Sequence, residues 1–189
     1  MRSYAKLLIV TSFILASFVS NSQNSYNWNR IDNLLSEGYF TTARKEVERL
    51  RGKAQVDNDG YTSLIAAYYL STIDYAYNKY PVDSAIARFA TLTKRLKGTD
   101  RAIAYGILFQ TYREVYLQEY YQLSRNTSSD DPKLVYHLWH RQRMEDTLTT
   151  IADSILAYGD LLRRTNPAAY QMMFRNDSLA PPPIDSTLI

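Results

Sequence analysis

Apolar residues recur along this chain at spacings of three and four, the period of a helix face. Trp28, Ile31, Leu34 and Leu35 make a short first stripe, and Phe40, Ala43, Val47 and Leu50 make a second. Ile65, Tyr68, Tyr69, Thr72, Ile73, Ala76 and Tyr80 carry the pattern up to Pro81. Ile86, Phe89, Thr93 and Leu96 predict a fourth helix, and Ala104, Leu108, Tyr112 and Val115 open a long fifth. Leu134, Val135, Leu138 and Trp139, then Leu148, Ile151, Ile155 and Leu162, predict a sixth with room for a bend. Tyr170, Met173 and Phe174 close with a short seventh. No stretch alternates with the period of two that a half-buried strand requires. The pattern predicts an all-α domain of about seven helices, arranged as stacked helical hairpins.

Proline and glycine punctuate this pattern. Asp131-Pro132 and Asn166-Pro167 each read as an N-cap followed by proline at the first helical position. Gly38, Gly52, Gly60 and Gly98 fall between periodic segments, where C-terminal stops are expected. Asn58-Asp59-Gly60 reads as a loop ahead of a helix. Gly106 and Gly159 fall inside predicted helices, and there they suggest close helix approach. Trp28-x2-Ile31-x2-Leu34, then Gly38-Tyr39, then Ala43, resembles the first helix and turn of a tetratricopeptide unit, TPR-like but degenerate.

The N-terminus breaks the amphipathic pattern. Arg2 and Lys6 precede an uncharged apolar run, Leu7 to Val19, too short to span a bilayer as an anchor. Ser20-Asn21-Ser22 puts small residues where a signal peptidase cuts, so residues 1–22 read as an export signal. The expected layout is signal peptide 1–22, helical-hairpin domain 23–178 and Pro-rich tail or linker 179–189. The whole chain has 22 Lys+Arg against 19 Asp+Glu, and cleavage removes Arg2 and Lys6, leaving 20 against 19. That near balance removes the electrostatic support for a nucleic-acid partner. There is no cysteine, so no disulfide, thiolate metal site, thioester or lipid anchor on a processed Cys is expected. The implied location is the periplasm or cell envelope.

Candidate chemistry is sparse. His137 and His140 are the only histidines, three apart, without the third ligand or HExxH pattern that a zinc site needs. No metal or cofactor is therefore expected. Glu114 and Glu119 lie on an aromatic-rich helix, but no G-x-S-x-G, S-x-x-K, P-loop or G-x-G-x-x-G occurs, and the chain reads as non-enzymatic. Tyrosine stands out instead, with 17 copies and the i, i+4 ladder Tyr112, Tyr116, Tyr120. Such a ladder packs helices together, offers a protein-recognition face, or stacks sugars. Burial of the three rings between helices would argue against sugar binding. Asp-Ser/Thr-apolar triplets at Asp83, Asp146, Asp153 and Asp177 look like the O-glycosylation signal of exported Bacteroidetes proteins.

Residues 28 to about 174 together resemble the N-terminal helical region of Bacteroidetes alpha-2-macroglobulin-like proteins. The resemblance is carried by Trp28-x2-Ile31-x2-Leu34, by Gly38-Tyr39 with Ala43, and by Arg49 to Ala54. It continues through the Tyr-rich run YREVYLQEYYQLSRNT, with Arg125 and Thr127 at its end, and through Asp131 to Leu156. It implies an envelope protein that traps proteases with a bait segment and, in many members, a thioester. This chain has no cysteine and no predicted β-sandwich, so it would be the leading helical module only. The module would bind following domains of a larger product or a protein partner, with Tyr112, Tyr116, Tyr120 and Arg125 as the candidate surface. The alternative expectation is a stand-alone helical glycan-binding protein that uses exposed tyrosines.

Overall fold

Every described element of the chain is helical. The structure, a computed structural model, describes residues 28–77, 81–126, 136–170 and 173. The signal segment 1–22, the tail 179–189 and the Asp131-Pro132 start lie outside the described residues. The helices are α1 (Trp28–Ser36), α2 (Phe40–Val56), α3 (Gly60–Tyr77), α4 (Pro81–Arg95), α5 (Gly98–Gln118), α6 (Tyr120–Arg125), α7 (Arg141–Leu156) and α8 (Gly159–Arg164). Single 3-10 turns occur at Tyr136–Leu138 and Pro167–Tyr170. The all-α class expected from the apolar period is present, while a regular hairpin repeat is not evident in it.

The chain divides into two units, 1–43 and 44–189. In the described part of the first, α1 buries Trp28 and Ile31 and ends at a left-handed Gly38 with φ of +78°. The Tyr39 and Gly38 N–H groups donate back to the Leu34 and Leu35 carbonyls at 2.8 and 3.1 Å, which satisfies groups the helix end leaves open.

In the second unit α5 is the hub, packing on α3, α4, α6, α7 and α8. Buried side chains of α3 point in several directions (Leu64, Ile65, Ala66, Ala67, Tyr69, Leu70 and Ile73), as befits a helix covered on more than one side. From the neighbouring helices Phe89, Leu92, Ala104, Leu108, Val115, Met144 and Ile151 complete the core. Where Asn58 takes φ of +53°, the Asp59 N–H reaches the Ala54 carbonyl at 2.9 Å and closes α2. Asp59 then caps α3, its carboxylate accepting from the Thr62 N–H at 3.0 Å and the Thr62 hydroxyl at 2.6 Å. Asn166 likewise accepts from the Ala168 N–H at 3.0 Å beside Pro167, as an N-cap–proline pair should.

Several expected boundaries moved. Gly52 does not stop a helix but lies inside α2, because the left-handed position that ends α2 is Asn58. Gly60 and Gly98 open α3 and α5 rather than closing the helices before them. Gly159 is the first residue of α8, after a turn at 157–158, not the interior of one long helix. A Cβ at Gly106 would meet nothing within 4 Å, so no neighbour approaches closely there. Trp139 is not helical, and α7 starts at Arg141 because His140 caps it, with Nδ1 accepting from the Arg143 N–H at 3.3 Å. Tyr170 ends a 3-10 turn and Met173 beyond it is helical, while Phe174 lies outside the described residues.

Candidate functional site

The tyrosine ladder sits where α5, α6 and α7 meet. Tyr112 is only 9% exposed, and its ring stacks on Trp139 with centroids 5.8 Å apart and planes 18° from parallel. The Arg143 guanidinium covers the Trp139 ring at 4.5 Å, making a layered tyrosine–tryptophan–arginine contact. Burial raises the Tyr112 phenol above its ordinary pKa, against a smaller opposing pull from Arg143. One turn on, the Tyr116 hydroxyl donates to Glu145 of α7 at 2.8 Å, and that bond, with some burial, raises its pKa as well. The break at Glu119 falls between Tyr116 and Tyr120, yet the two rings meet edge to face at 5.6 Å. Arg141 completes the set, with its Nε 3.3 Å from Glu145 and its guanidinium 5.9 Å from the Tyr120 ring centre. It also donates to the Tyr120 hydroxyl at 3.2 Å.

The ladder therefore joins helices. Burial is graded along it: Tyr112 is buried against Trp139, Tyr116 is half-buried, and Tyr120 is 37% exposed. Beside it Tyr121 is 81% exposed, with exposed Leu117 and Arg125 four residues before and after it. Tyr121 and Arg125 share the outer face of α6, since residues four apart are neighbours on a helix.

The other residues singled out from the sequence are dispersed. The His140 Nδ1 is engaged by the α7 cap, and the His137 side chain lies outside the described residues. Glu114 is exposed and accepts from Gln110 at 2.7 Å, whereas Glu119 occupies the α5–α6 break. Among the described residues no group of three His, Cys, Asp or Glu converges as a metal site would require. Of the Asp-Ser/Thr triplets, those at Asp83, Asp146 and Asp153 lie within helices. The Thr147 and Ser154 hydroxyls donate to the carbonyls of Arg143 and Thr150 at 2.8 and 2.9 Å. The copy at Asp177 is outside the described residues.

A second feature went unremarked in the sequence. Asp74 is the sole charged residue of α3 and is 3% exposed. Its two carboxylate oxygens take separate guanidiniums: Arg44 of α2 on Oδ1, and Arg88 of α4 on Oδ2 at 2.6 Å. Arg88 also donates to the Ser71 hydroxyl at 2.8 Å. Burial alone would raise the Asp74 pKa, but the hydrogen bonds and charges of Arg44 and Arg88 outweigh it and hold it below the ordinary value. Beside this triad an open groove of about 410 Å³ runs between α2, α3 and α4. Arg51 and Gln55 line it from α2, Ser63 and Ala67 from α3, and Ser84, Ala87, Arg88, Thr91, Leu92 and Arg95 from α4. A lone aspartate inside an apolar helical run was the available signal, because a buried charge demands partners.

No family model matches the chain, and comparison with curated proteins and with solved structures gave no match.

Proposed function

We propose that this chain is an exported, non-enzymatic helical module that works by protein–protein contact, in the manner expected of the leading region of an alpha-2-macroglobulin-like protein. The observation that carries the reading is the exposed Tyr121–Arg125 face of α6, with Tyr121 at 81% exposure and Leu117 exposed at the end of α5 beside the break. Tyrosine and arginine are the residue types that dominate binding energy at protein interfaces, because they combine large contact area with directed polar ends. The rings beside that face are fixed by Trp139, Glu145 and Arg141, so the outer residues stand on a rigid base. Export is supported by the uncharged run Leu7–Val19 behind Arg2 and Lys6. A binding rather than catalytic role is supported by the polar groups: Asp74, Tyr116 and Glu145 are engaged in bonds between helices.

The test is a photo-crosslinking phenylalanine derivative at position 121 in cells that make the protein. The reading expects a discrete adduct, either with one partner of defined mass or within a single larger product containing this region. Crosslinking from position 121 no stronger than from the exposed control position 94 would overturn it.

A further inference from the structure

We propose that the groove between α2, α3 and α4 binds an acidic peptide segment, an extended stretch of partner chain carrying spaced Asp or Glu side chains. Three arginines and no carboxylate line this groove: Arg51 on one wall, Arg88 and Arg95 on the other. Guanidinium is the side chain best suited to carboxylates, since its planar fork gives two parallel N–H donors.

The placement of the charges selects the ligand. Arg88 is pinned to Asp74 and Ser71, so it cannot swing to meet the other two around one small anion. Arg95 lies seven residues further along α4, roughly 10 Å by helix rise, which spreads positive charge along the groove instead of focusing it. Arg44 and Arg88 share the charge of Asp74, and Arg44 also lies 3.9 Å from Glu48, so the uncompensated charge at the groove lies on Arg51 and Arg95. Among the described residues neither Arg51 nor Arg95 has a salt-bridge partner.

The rest of the lining fits a peptide backbone. Ser63 and Gln55 offer a hydroxyl and an amide to a chain with N–H and C=O groups, and the Thr91 hydroxyl, which donates to the Ala87 carbonyl at 2.8 Å, can still accept, while Ala67, Ala87 and Leu92 supply small apolar contacts. The groove is neither closed off from solvent nor flat. None of these residues belongs to the Tyr121–Arg125 face, so failure here leaves that surface to its own test.

The experiment is fluorescence anisotropy of a labelled Gly-Glu repeat decapeptide titrated with the full chain, beside a Gly-Gln repeat of the same length. Saturable binding of the Glu peptide alone is expected, weakened about tenfold in the Arg51→Gln/Arg95→Gln double variant as two charge-assisted contacts are lost. It should weaken similarly between about 50 and 300 mM NaCl, because exposed charge pairs are screened. Arg51→Lys/Arg95→Lys, which keeps charge but loses the fork, should fall between wild type and the Gln variant. Both positions lie off the Asp74 network, so circular dichroism should be unchanged. Equal binding of the two peptides, no loss in the Gln variant, or no binding of the Glu peptide would each overturn the proposal. So would arginine-dependent binding of inorganic phosphate or dextran sulfate without binding of the peptide.

Discussion

Two aspartates in the second unit share a handicap and answer it in opposite ways. Asp74, in the middle of α3, faces two guanidiniums, and its pKa is held below the ordinary aspartate value of 3.8. Asp100, in the first turn of α5, accepts a hydrogen bond from the Tyr170 hydroxyl at 2.7 Å. It lies so near Gly60 that a Cβ there would come within 2.6 Å of its Oδ2. Burial raises the Asp100 pKa, the Tyr170 bond opposes it, and the nearby Asp59 charge raises it further, so the net direction is upward. Desolvation acts on both carboxylates with the same sign. Two cationic donors reverse it, whereas one phenol beside a like charge does not.

The comparison also separates two kinds of joint. The Asp74 triad ties α2, α3 and α4 through charge. The Asp100 joint ties the 3-10 turn at Pro167–Tyr170 to the starts of α3 and α5 through tyrosines. There Tyr61 and Tyr170 meet edge to face at 5.5 Å, and the Tyr61 hydroxyl donates to the Ala169 carbonyl at 2.7 Å. Burial, and then its bond to Asp100, push the Tyr170 phenol well above its ordinary pKa, so it is a neutral donor across the physiological range.

The sharpest way to break the comparison is Asp74→Ala. It leaves Arg88 without an anion and Arg44 with only the more distant Glu48 at 3.9 Å, a change that costs about 3 kcal/mol or more in buried networks. Urea unfolding should show a lowered midpoint that, multiplied by the slope m, gives a loss of that size. Arg88→Ala should cost more than Arg44→Ala, because the Arg88 side chain is 17% exposed against 32% for Arg44. A loss below about 1 kcal/mol for Asp74→Ala would place the triad with ordinary surface ion pairs.

That triad marks the limit of what the sequence discloses. The 3.6-residue period of Phe89 and Leu92, or of Leu108, Tyr112 and Val115, is a local property, so the helices and much of the core can be read from it. So can stops that depend on one residue's backbone, such as Gly38, or on a cap pair, such as Asn166-Pro167. Gly52 misleads because glycine permits a stop without requiring one, and the neighbouring Asn58 supplied the left-handed residue instead. Arg44 and Arg88 lie 30 and 14 residues from Asp74, and nothing local selects them over other arginines. The groove between three helices is likewise a product of packing. Tyr112, Tyr116 and Tyr120 do form one cluster, but the partners Glu145 and Arg141 lie 29 and 21 residues from Tyr116 and Tyr120 along the chain.

A pH series sharpens the contrast with a smaller effect. Asp100 has a folded pKa above its unfolded one, so the folded state takes up a proton first as pH falls. Stability should therefore rise as pH drops from that raised value toward 3.8. Asp74 has the lowered folded pKa. Its contribution is fully present above 3.8 and is lost as pH falls from there through the folded value. In Asp100→Asn the amide oxygen still accepts from Tyr170 while the charge facing Asp59 is gone. The variant's advantage over wild type should be largest at neutral pH and shrink as pH approaches 4. Thermal melts at matched ionic strength between about pH 4 and 7 measure it, and an advantage independent of pH would remove the electrostatic account of Asp100.

The smallest effect concerns positions where no such joint exists. Gly106 in α5 and Gly52 in α2 lie inside helices, and a Cβ at either would meet nothing within 4 Å. Alanine therefore fits both sites without displacing a neighbour. It also limits the freedom of the unfolded chain, so each substitution should stabilise by about 0.4–1 kcal/mol. Gly38→Ala has equal space around its Cβ but a φ of +78°, and should destabilise instead. The three variants thus separate backbone conformation from packing, since empty space is common to all of them. Melting temperatures that rise for Gly52→Ala and Gly106→Ala and fall for Gly38→Ala are the expected result. A fall for Gly106→Ala would mean that another element does approach α5 at that turn, as the isolated glycine in the sequence had suggested.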